Sequence, residues 1–309
     1  MILCVSPNPA LDRILVVDHW QPGGVFRASQ SLEFANGKGV SVARAARTLG
    51  AEVLCAGFLG GATGKRIAGM VEAEALGAVW TQVVGETRTN TVIVETSTGE
   101  ATVINELGPA VTEADWKRLH ADVVRAAARV DAICVSGSLP PGSDLVWYID
   151  LLESLYLFGR PIWVDVSGKA LAAALAVEGL NIKVNAEEAG SVFNRAIDTP
   201  EAAIVAAEQL CEHGAASVVL TLGKQGAAYA SEAGRWWVRP PLVKTVSAVG
   251  SGDSFLAGLV AALQANTDVK EALRHAAAAG AANAITLGSG RFDMGSFEQI
   301  RAFTACAEV

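Results

Sequence analysis

Short apolar runs alternating with longer amphipathic ones dominate this chain, and that alternation narrows its fold more than any other feature. Runs at Ile2–Val5, Val53–Phe58, Ala132–Val135, Ile162–Val166, Ile182–Val184 and Val218–Leu222 have the length of strands. Between and after them, Val40–Leu49, Lys65–Ala75, Glu113–Arg129, Val146–Phe158, Pro200–His213, Ser251–Gln264 and Lys270–Leu287 read as amphipathic helices. Continuously apolar strands are buried on both faces, and intervening helices supply the covering layers. The pattern therefore predicts an α/β fold with a mostly parallel sheet between helices. With 309 residues and 51% hydrophobic content, the chain has ample core for this as one domain, 1–309.

Two regions break the rhythm. Leu11 to Phe34 lacks a helical period and holds the β-favouring run Ile14-Leu15-Val16-Val17. Thr89 to Asn105 reads as a hairpin, with Val92-Ile93-Val94 and Thr102-Val103-Ile104 flanking the turn-like Ser97-Thr98-Gly99-Glu100. These strands are expected to form a small separate sheet, as a lid or a dimerisation surface. The alternative is two edge strands on the main sheet.

The net charge of −8 argues against a nucleic-acid or anionic-membrane partner, while leaving room for a small anion held by a local basic cluster. No apolar stretch has the length of a membrane span, and the N-terminus enters a strand-like run without a charged leader. The cysteines, Cys4, Cys55, Cys134, Cys211 and Cys306, are scattered and mostly within apolar runs, so reduced thiols in a cytoplasmic protein are expected. The four histidines lack metal-ligand spacing.

Gly250-Ser251-Gly252-Asp253 is the segment richest in chemistry. It reads as a tight turn into a helix, where unpartnered N–H groups point outward and the dipole favours an anion. Glycines let a ligand approach that backbone. A carboxylate beside a bound anion is repulsive unless it takes a proton from a nucleophile attacking the anion. The ordinary alternative is a helix with an acidic first turn.

Other segments are weaker singly. Asn8-Pro9-Ala10-Leu11-Asp12 follows the first strand, where open sheets place ligands, and Asp12 suits sugar hydroxyls or merely caps a turn. Asn36-Gly37-Lys38-Gly39 is a second glycine-flanked helix start, now with a cation. Arg27, Arg88 and Asn90 lie in the irregular regions, and arginine forks suit phosphate. Asn185 and Glu188 are three apart after Lys183-Val184, a spacing that suits Mg²⁺ or a helix cap. Thr221-Leu222-Gly223-Lys224-Gln225-Gly226 ends a strand with two glycines that a nucleotide could approach. Gly60-Gly61-Ala62-Thr63-Gly64-Lys65-Arg66 imitates a phosphate-binding loop but fails on glycine spacing, and Arg66 replaces the required hydroxyl. It reads as a strand-to-helix turn.

In this order, the segments resemble the ribokinase-like (PfkB) carbohydrate kinases over essentially the whole chain. Gly250–Asp253 is similar to their Gly-Ala-Gly-Asp signature, Asn36–Gly39 to their Gly-Gly-Lys-Gly signature, and Asn185 with Glu188 to their Asn-x-x-Glu motif. Asn8–Asp12, Gly57–Gly61, Thr87–Asn90, Ser136–Pro140 and Asp165–Gly168 look most like the branch of 1-phosphofructokinases and tagatose-6-phosphate kinases. Departures are modest: Val184 replaces a usual proline, Ala248 a frequent threonine, Ser251 the signature alanine and Asn36 a glycine.

The resemblance implies a three-layer α/β/α fold with a small β-sheet lid, and homodimerisation through that lid. It implies ATP and Mg²⁺ as cofactors and a ketohexose phosphate as substrate. Fructose 1-phosphate is expected first; tagatose 6-phosphate and fructose 6-phosphate are the alternatives. Asp253 becomes the general base, with Gly250, Ser251 and Gly252 as its anion hole. Asp12, Arg27, Gly37, Lys38, Gly39, Arg88, Asn90 and Ser138 would hold the sugar or its phosphate. Lys183, Asn185, Thr221, Gly223, Gly226 and Asn283 would hold the nucleotide, and Asn185 and Glu188 the metal. A silent sugar-phosphate sensor is the non-enzymatic alternative.

Overall fold

The computed structural model describes residues 1–309. Its strands are β1 (Ile2–Val5), β2 (Ala10–Val17), β3 (Gln30–Asn36), β4 (Val53–Leu59), β5 (Gly77–Gln82), β6 (Thr89–Glu95), β7 (Ala101–Ile104), β8 (Ala132–Ser136), β9 (Ile162–Asp165), β10 (Asn181–Asn185), β11 (Ser217–Thr221), β12 (Ala227–Ser231), β13 (Gly234–Arg239) and β14 (Ala305–Glu308). Its helices are α1 (Lys38–Thr48), α2 (Gly61–Ala73), α3 (Glu113–Ala127), α4 (Leu145–Tyr156), α5 (Gly168–Leu175), α6 (Ala186–Phe193), α7 (Pro200–Glu212), α8 (Ser251–Gln264), α9 (Val269–Ala284) and α10 (Met294–Ala302).

The central sheet has ten strands in the order β14-β13-β12-β11-β10-β9-β8-β1-β4-β5. From β11 to β5 all neighbours pair parallel, and β12, β13 and β14 extend the sheet antiparallel. β1 is buried throughout, and its side chains alternate between two cores. Leu3 and Val5 join the cluster built with α3, α4, α5 and α7, while Ile2 and Cys4 join the one built with α1, α2, α8 and α9. A strand that must satisfy two cores cannot show polar alternation, and this is why the inner parallel strands were legible as apolar runs, whereas the largely exposed edge strand β5 was not. Cys4 pairs in register with Cys55 and Cys134, and all five cysteines are free thiols. No helix is long and apolar enough to cross a membrane.

The irregular regions form a separate four-stranded sheet, β3-β2-β6-β7, rather than edge strands of the main one. Ile14, Val16, Val92 and Val94 give it a small core of its own, covered by Leu32, Phe34 and Leu287. Two expected helices differ most in their bounds. α2 begins at Gly61 and stops before Ala75, whose φ of 52° is left-handed. α9 ends at Ala284, so Leu287 lies in a following loop, where it packs under the small sheet. That loop is held by Thr286 Oγ1, which donates to the Arg291 carbonyl at 2.5 Å.

Candidate active site

The helix α8 starts where the main sheet faces the small one. Gly250 caps it with φ 82°, and a Cβ there would stand 2.0 Å from Ser289 Oγ, so glycine is required on both counts. Ser251 N–H turns back to the Ala248 carbonyl (3.2 Å) and Ser254 N–H to that of Gly250 (2.9 Å). The amides of Gly250, Gly252 and Asp253 have no acceptor in the protein. Of the expected set, Gly250 and Gly252 keep free donors, and only the Ser251 amide is taken up, because it closes the turn. The Ser251 side chain does not cap the helix, and its buried Oγ has no partner.

Behind this turn lies a buried charge cluster. Asp165, at the end of β9 and 0% exposed, accepts from Lys183 Nζ at 2.7 Å and from Lys38 Nζ at 2.5 Å. Burial alone would raise its pKa, but the two lysines outweigh that and hold it below the ordinary carboxylate value. Lys38 is also 3.5 Å from Glu188 Oε1. Burial works against its charge, yet Asp165, Glu188 and Asp253 together raise its pKa. Asp253 is 8% exposed. Burial, then repulsion from Asp165, pushes its pKa up to about 6, with Lys38, Lys183 and a 3.4 Å hydrogen bond from Ser289 Oγ opposing. A carboxylate so poised is ionised at neutral pH and basic enough to accept a proton.

Sequence reasoning assigned no role to Asp165, although an acid closing an apolar strand is a visible signal. Its partners are 127 and 18 residues away, so only the tertiary fold brings them together.

On the side of the small sheet, Asp12 accepts from Asn90 Nδ2 at 2.9 Å and from Asn36 Nδ2. Burial raises its pKa, against these hydrogen bonds and the charges of Arg88 and Arg44. Asn90 Oδ1 is buried without a partner, an acceptor facing Asp12's surroundings. Arg88 is half-buried and donates through Nε and Nη2 to the Asn8 carbonyl (3.1 and 2.7 Å) and through Nη1 to that of Glu106 (3.2 Å). Ser138 Oγ accepts from Asn8 Nδ2 at 3.3 Å, at the rim of the same region. Gly37, with φ 115°, and Gly39 let the start of α1 pack on β1: a Cβ on either would lie within 2.9 Å of Ser6, Pro9 or Val5 atoms. Arg27 differs from the rest. It is exposed in the stretch between β2 and β3 and joins none of these contacts.

On the other side of α8, a cavity of about 370 Å³ is lined by Lys183, Asn185, Thr221, Gly223, Gly226, Ser251 and Gly252, with Pro240, Pro241, Leu242 and Val243 forming an apolar wall. Its size and its mixture of apolar wall and few polar groups fit a nucleotide. Gly226 (φ 123°) sits where a Cβ would strike the Val238 carbonyl at 2.2 Å, and one on Gly252 would reach Lys183 Nζ at 2.8 Å. Both glycines thus keep the backbone at the cavity surface. Asn283 does not line it. The α9 residues Gly280, Ala281 and Ala284 do, whereas the Asn283 side chain turns inward. It accepts from Ser254 Oγ (3.2 Å) and Arg291 N–H (3.1 Å) and donates to the Val249 carbonyl (2.9 Å). Its place is to buttress the α8 turn from behind.

Asn185 and Glu188 form a reciprocal cap on α6: Asn185 Oδ1 accepts from Glu188 N–H (2.8 Å) and Glu188 Oε2 from Asn185 N–H (2.9 Å). No group of three or more His, Cys, Asp or Glu side chains could hold a metal ion directly. These two residues fit Mg²⁺ only as partners reached through its water shell, a mode this ion favours.

Comparison with known proteins adds to this geometry. The model of the pfkB family carbohydrate kinases matches residues 8–292. The chain is 33% identical over 280 residues to a 1-phosphofructokinase of Escherichia coli (strain K12), covering 91% of this chain and 89% of the relative. It is 30% identical over 303 residues to a tagatose-6-phosphate kinase of Staphylococcus epidermidis, covering 97% of each. Among solved structures, phosphofructokinase-2 from Escherichia coli in complex with substrates and products superposes with a TM-score of 0.89 at 29% identity, over 98% of both chains.

Proposed function

This chain belongs to the pfkB family of carbohydrate kinases, and from that premise we propose that it transfers the γ-phosphoryl group of ATP to a ketohexose phosphate. Fructose 1-phosphate, giving fructose 1,6-bisphosphate, is the first substrate, with tagatose 6-phosphate and fructose 6-phosphate as the alternatives. The observation that carries the reading is Asp253: a buried carboxylate raised to about 6, beside free helix N-terminal amides, with a nucleotide-sized cavity on one side and the Asp12 cluster on the other.

The sugar hydroxyl oxygen attacks the γ-phosphorus, its proton passes to Asp253, and the bond from phosphorus to the ADP oxygen breaks. Amides of Gly252 and Asp253 donate to the transferring group, whose charge the helix N-terminus favours. Lys183, anchored on Asp165, stands beside Gly252 and faces the cavity. Asn185 and Glu188 would hold, through its water shell, the Mg²⁺ that accompanies the nucleotide, and that ion would neutralise phosphate charge. Asp12 and Asn90 take sugar hydroxyls, while Lys38 and Arg88 supply positive charge for the substrate phosphate. Such catalysis is chiefly positioning and electrostatics.

Closure of the small sheet over the sugar would exclude water and favour transfer over hydrolysis. The exposed apolar residues Val103, Ile104 and Leu107 on and after β7 support a second copy of the chain covering that sheet.

ADP release tests the reading. It is measured with ATP and fructose 1-phosphate, tagatose 6-phosphate or fructose 6-phosphate, with fructose and ribose as neutral controls. Release that depends on a phosphorylated sugar supports the proposal. Equal kcat/KM with the neutral sugars, or no release with any of them, contradicts it.

A further inference from the structure

Arg44, on α1, is a charged side chain that the proposed chemistry leaves unused, yet it is only 6% exposed. Burying a guanidinium is costly unless its charge is paired and its donors are filled. The charge is paired, and four of the five N–H donors have partners. Nε donates to Glu74 Oε2 at 2.5 Å and Nη2 to Glu74 Oε1 at 3.2 Å. Two more donors go to backbone carbonyls from distant parts of the chain: Nη2 to Ala35 at 2.6 Å and Nη1 to Ser289 at 2.8 Å.

Those two carbonyls stand at the two ends of the proposed reaction. Ala35 lies in β3 beside Asn36, whose side chain donates to Asp12, the acid for the sugar. Ser289 donates to Asp253, the base, and packs against Gly250. A sugar held by Asp12 through one hydroxyl and deprotonated by Asp253 at another needs those two carboxylates at a fixed separation. The guanidinium is planar and rigid, so its two nitrogens set the spacing of the carbonyls they grip. Glu74 holds the fork in place, and it also receives Arg291 Nη2 at 2.6 Å from the Ser289 loop. Arg291 in turn stacks over the Phe34 ring of β3, 4.7 Å from its centroid. Ser41, one turn before Arg44, donates to Asn36 Oδ1 at 2.5 Å, and Gly290 packs on its carbonyl. Two residues on α1, Ser41 and Arg44, thus each tie the same two segments.

We infer that Arg44 is a positioning residue, a rigid spacer that fixes the sugar-holding root of β3 against the loop that meets the general base. The inference rests on the roles proposed for Asp12 and Asp253. It concerns neither the nucleotide cavity, which Arg44 does not line, nor the substrate phosphate.

Arg44→Lys keeps the charge and can still meet Glu74, but a single ammonium cannot span both carbonyls. Its kcat with the sugar phosphate should fall at least about tenfold while KM for ATP stays within about twofold, because displacements near 1 Å are costly for in-line transfer. Ser289→Ala removes the contact through which the spacer reaches Asp253. Its effect on kcat should not add to that of Arg44→Lys in a double-mutant cycle. A purely structural role would lower the melting temperature and leave kcat per folded molecule unchanged, and that result overturns the inference, as does full additivity.

Hydrogen exchange on the protein without substrate reads the coupling without turnover, so it separates this inference from the kinase assignment. In Arg44→Lys the amides of β3 and of residues 285–291 should exchange faster together, by about tenfold, with those of β10 and β11 unchanged. No change, or a change in one segment alone, overturns the inference whether or not the wild-type chain transfers phosphate.

Discussion

Lys183 donates to Asp165 at 2.7 Å in a place where the two side chains are 5% and 0% exposed. The pair joins adjacent strands β10 and β9, and Lys38 reaches the same carboxylate from α1. One negative charge therefore organises two positive ones directly behind the amides of α8.

Asp165→Asn should destabilise the protein by about 3 kcal/mol, since it leaves Lys183 buried without its counter-charge. Denaturant unfolding at neutral pH checks this. The native pKa of Asp165 is depressed, so its contribution is present above the ordinary carboxylate value and is lost as pH falls toward the native one. The stability gap between wild type and Asp165→Asn should accordingly narrow in acid. A gap that is absent at pH 7, or constant down to acid pH, would show that the carboxylate is not held this way.

Turnover should depend on the ionised form of Asp253. With its pKa at about 6, kcat/KM should fall about tenfold per pH unit below that value. Asp165 is the neighbour that repels it, so Asp165→Asn should move the acid limb to lower pH. The native state binds the Asp253 proton more tightly than the unfolded chain. This group therefore lowers stability as pH rises from the ordinary carboxylate range through about 6, the opposite of Asp165. Rate profiles of the two proteins between pH 5 and pH 8 would reveal the shift, and coincident limbs would contradict it.

Arg88→Ala should raise KM for the phosphorylated sugar at least about tenfold and change KM for ATP by less than about twofold, because Arg88 lies with Asn8 and Glu106 and not on the nucleotide cavity. Arg88→Lys separates charge from the loop contacts: it should recover part of the sugar affinity. Equal effects on both substrates would remove Arg88 from the sugar side.

Much of the architecture was legible because double-sided burial leaves an unmistakable signature. β1, β4, β8, β9 and β11 are largely apolar runs, β10 is one interrupted by Lys183, and each joins the parallel part of the sheet. β12 was not legible, since Ala227–Ser231 is largely small residues and owes its state to pairing with β11 and β13. α5 and α6 are short, with too few turns to show a period. The Gly250–Asp253 turn could be read because its chemistry is local. The pairings of Asp165 and Arg44 could not, because each acts through partners that only the tertiary fold brings near. Asn283 was placed on the correct helix, but a sequence does not say which way one side chain turns. The cap formed by Asn185 and Glu188 follows from their spacing alone, and that same spacing is what had suggested a metal.

The most direct measurement is the turnover of Asp253→Asn with ATP and its best sugar phosphate, alongside ATP affinity. Loss of a general base should lower kcat by roughly 10²–10⁴, while Kd for ATP stays close to that of the wild type. A variant that turns over at the normal rate, or that loses ATP binding in proportion to activity, would contradict the account.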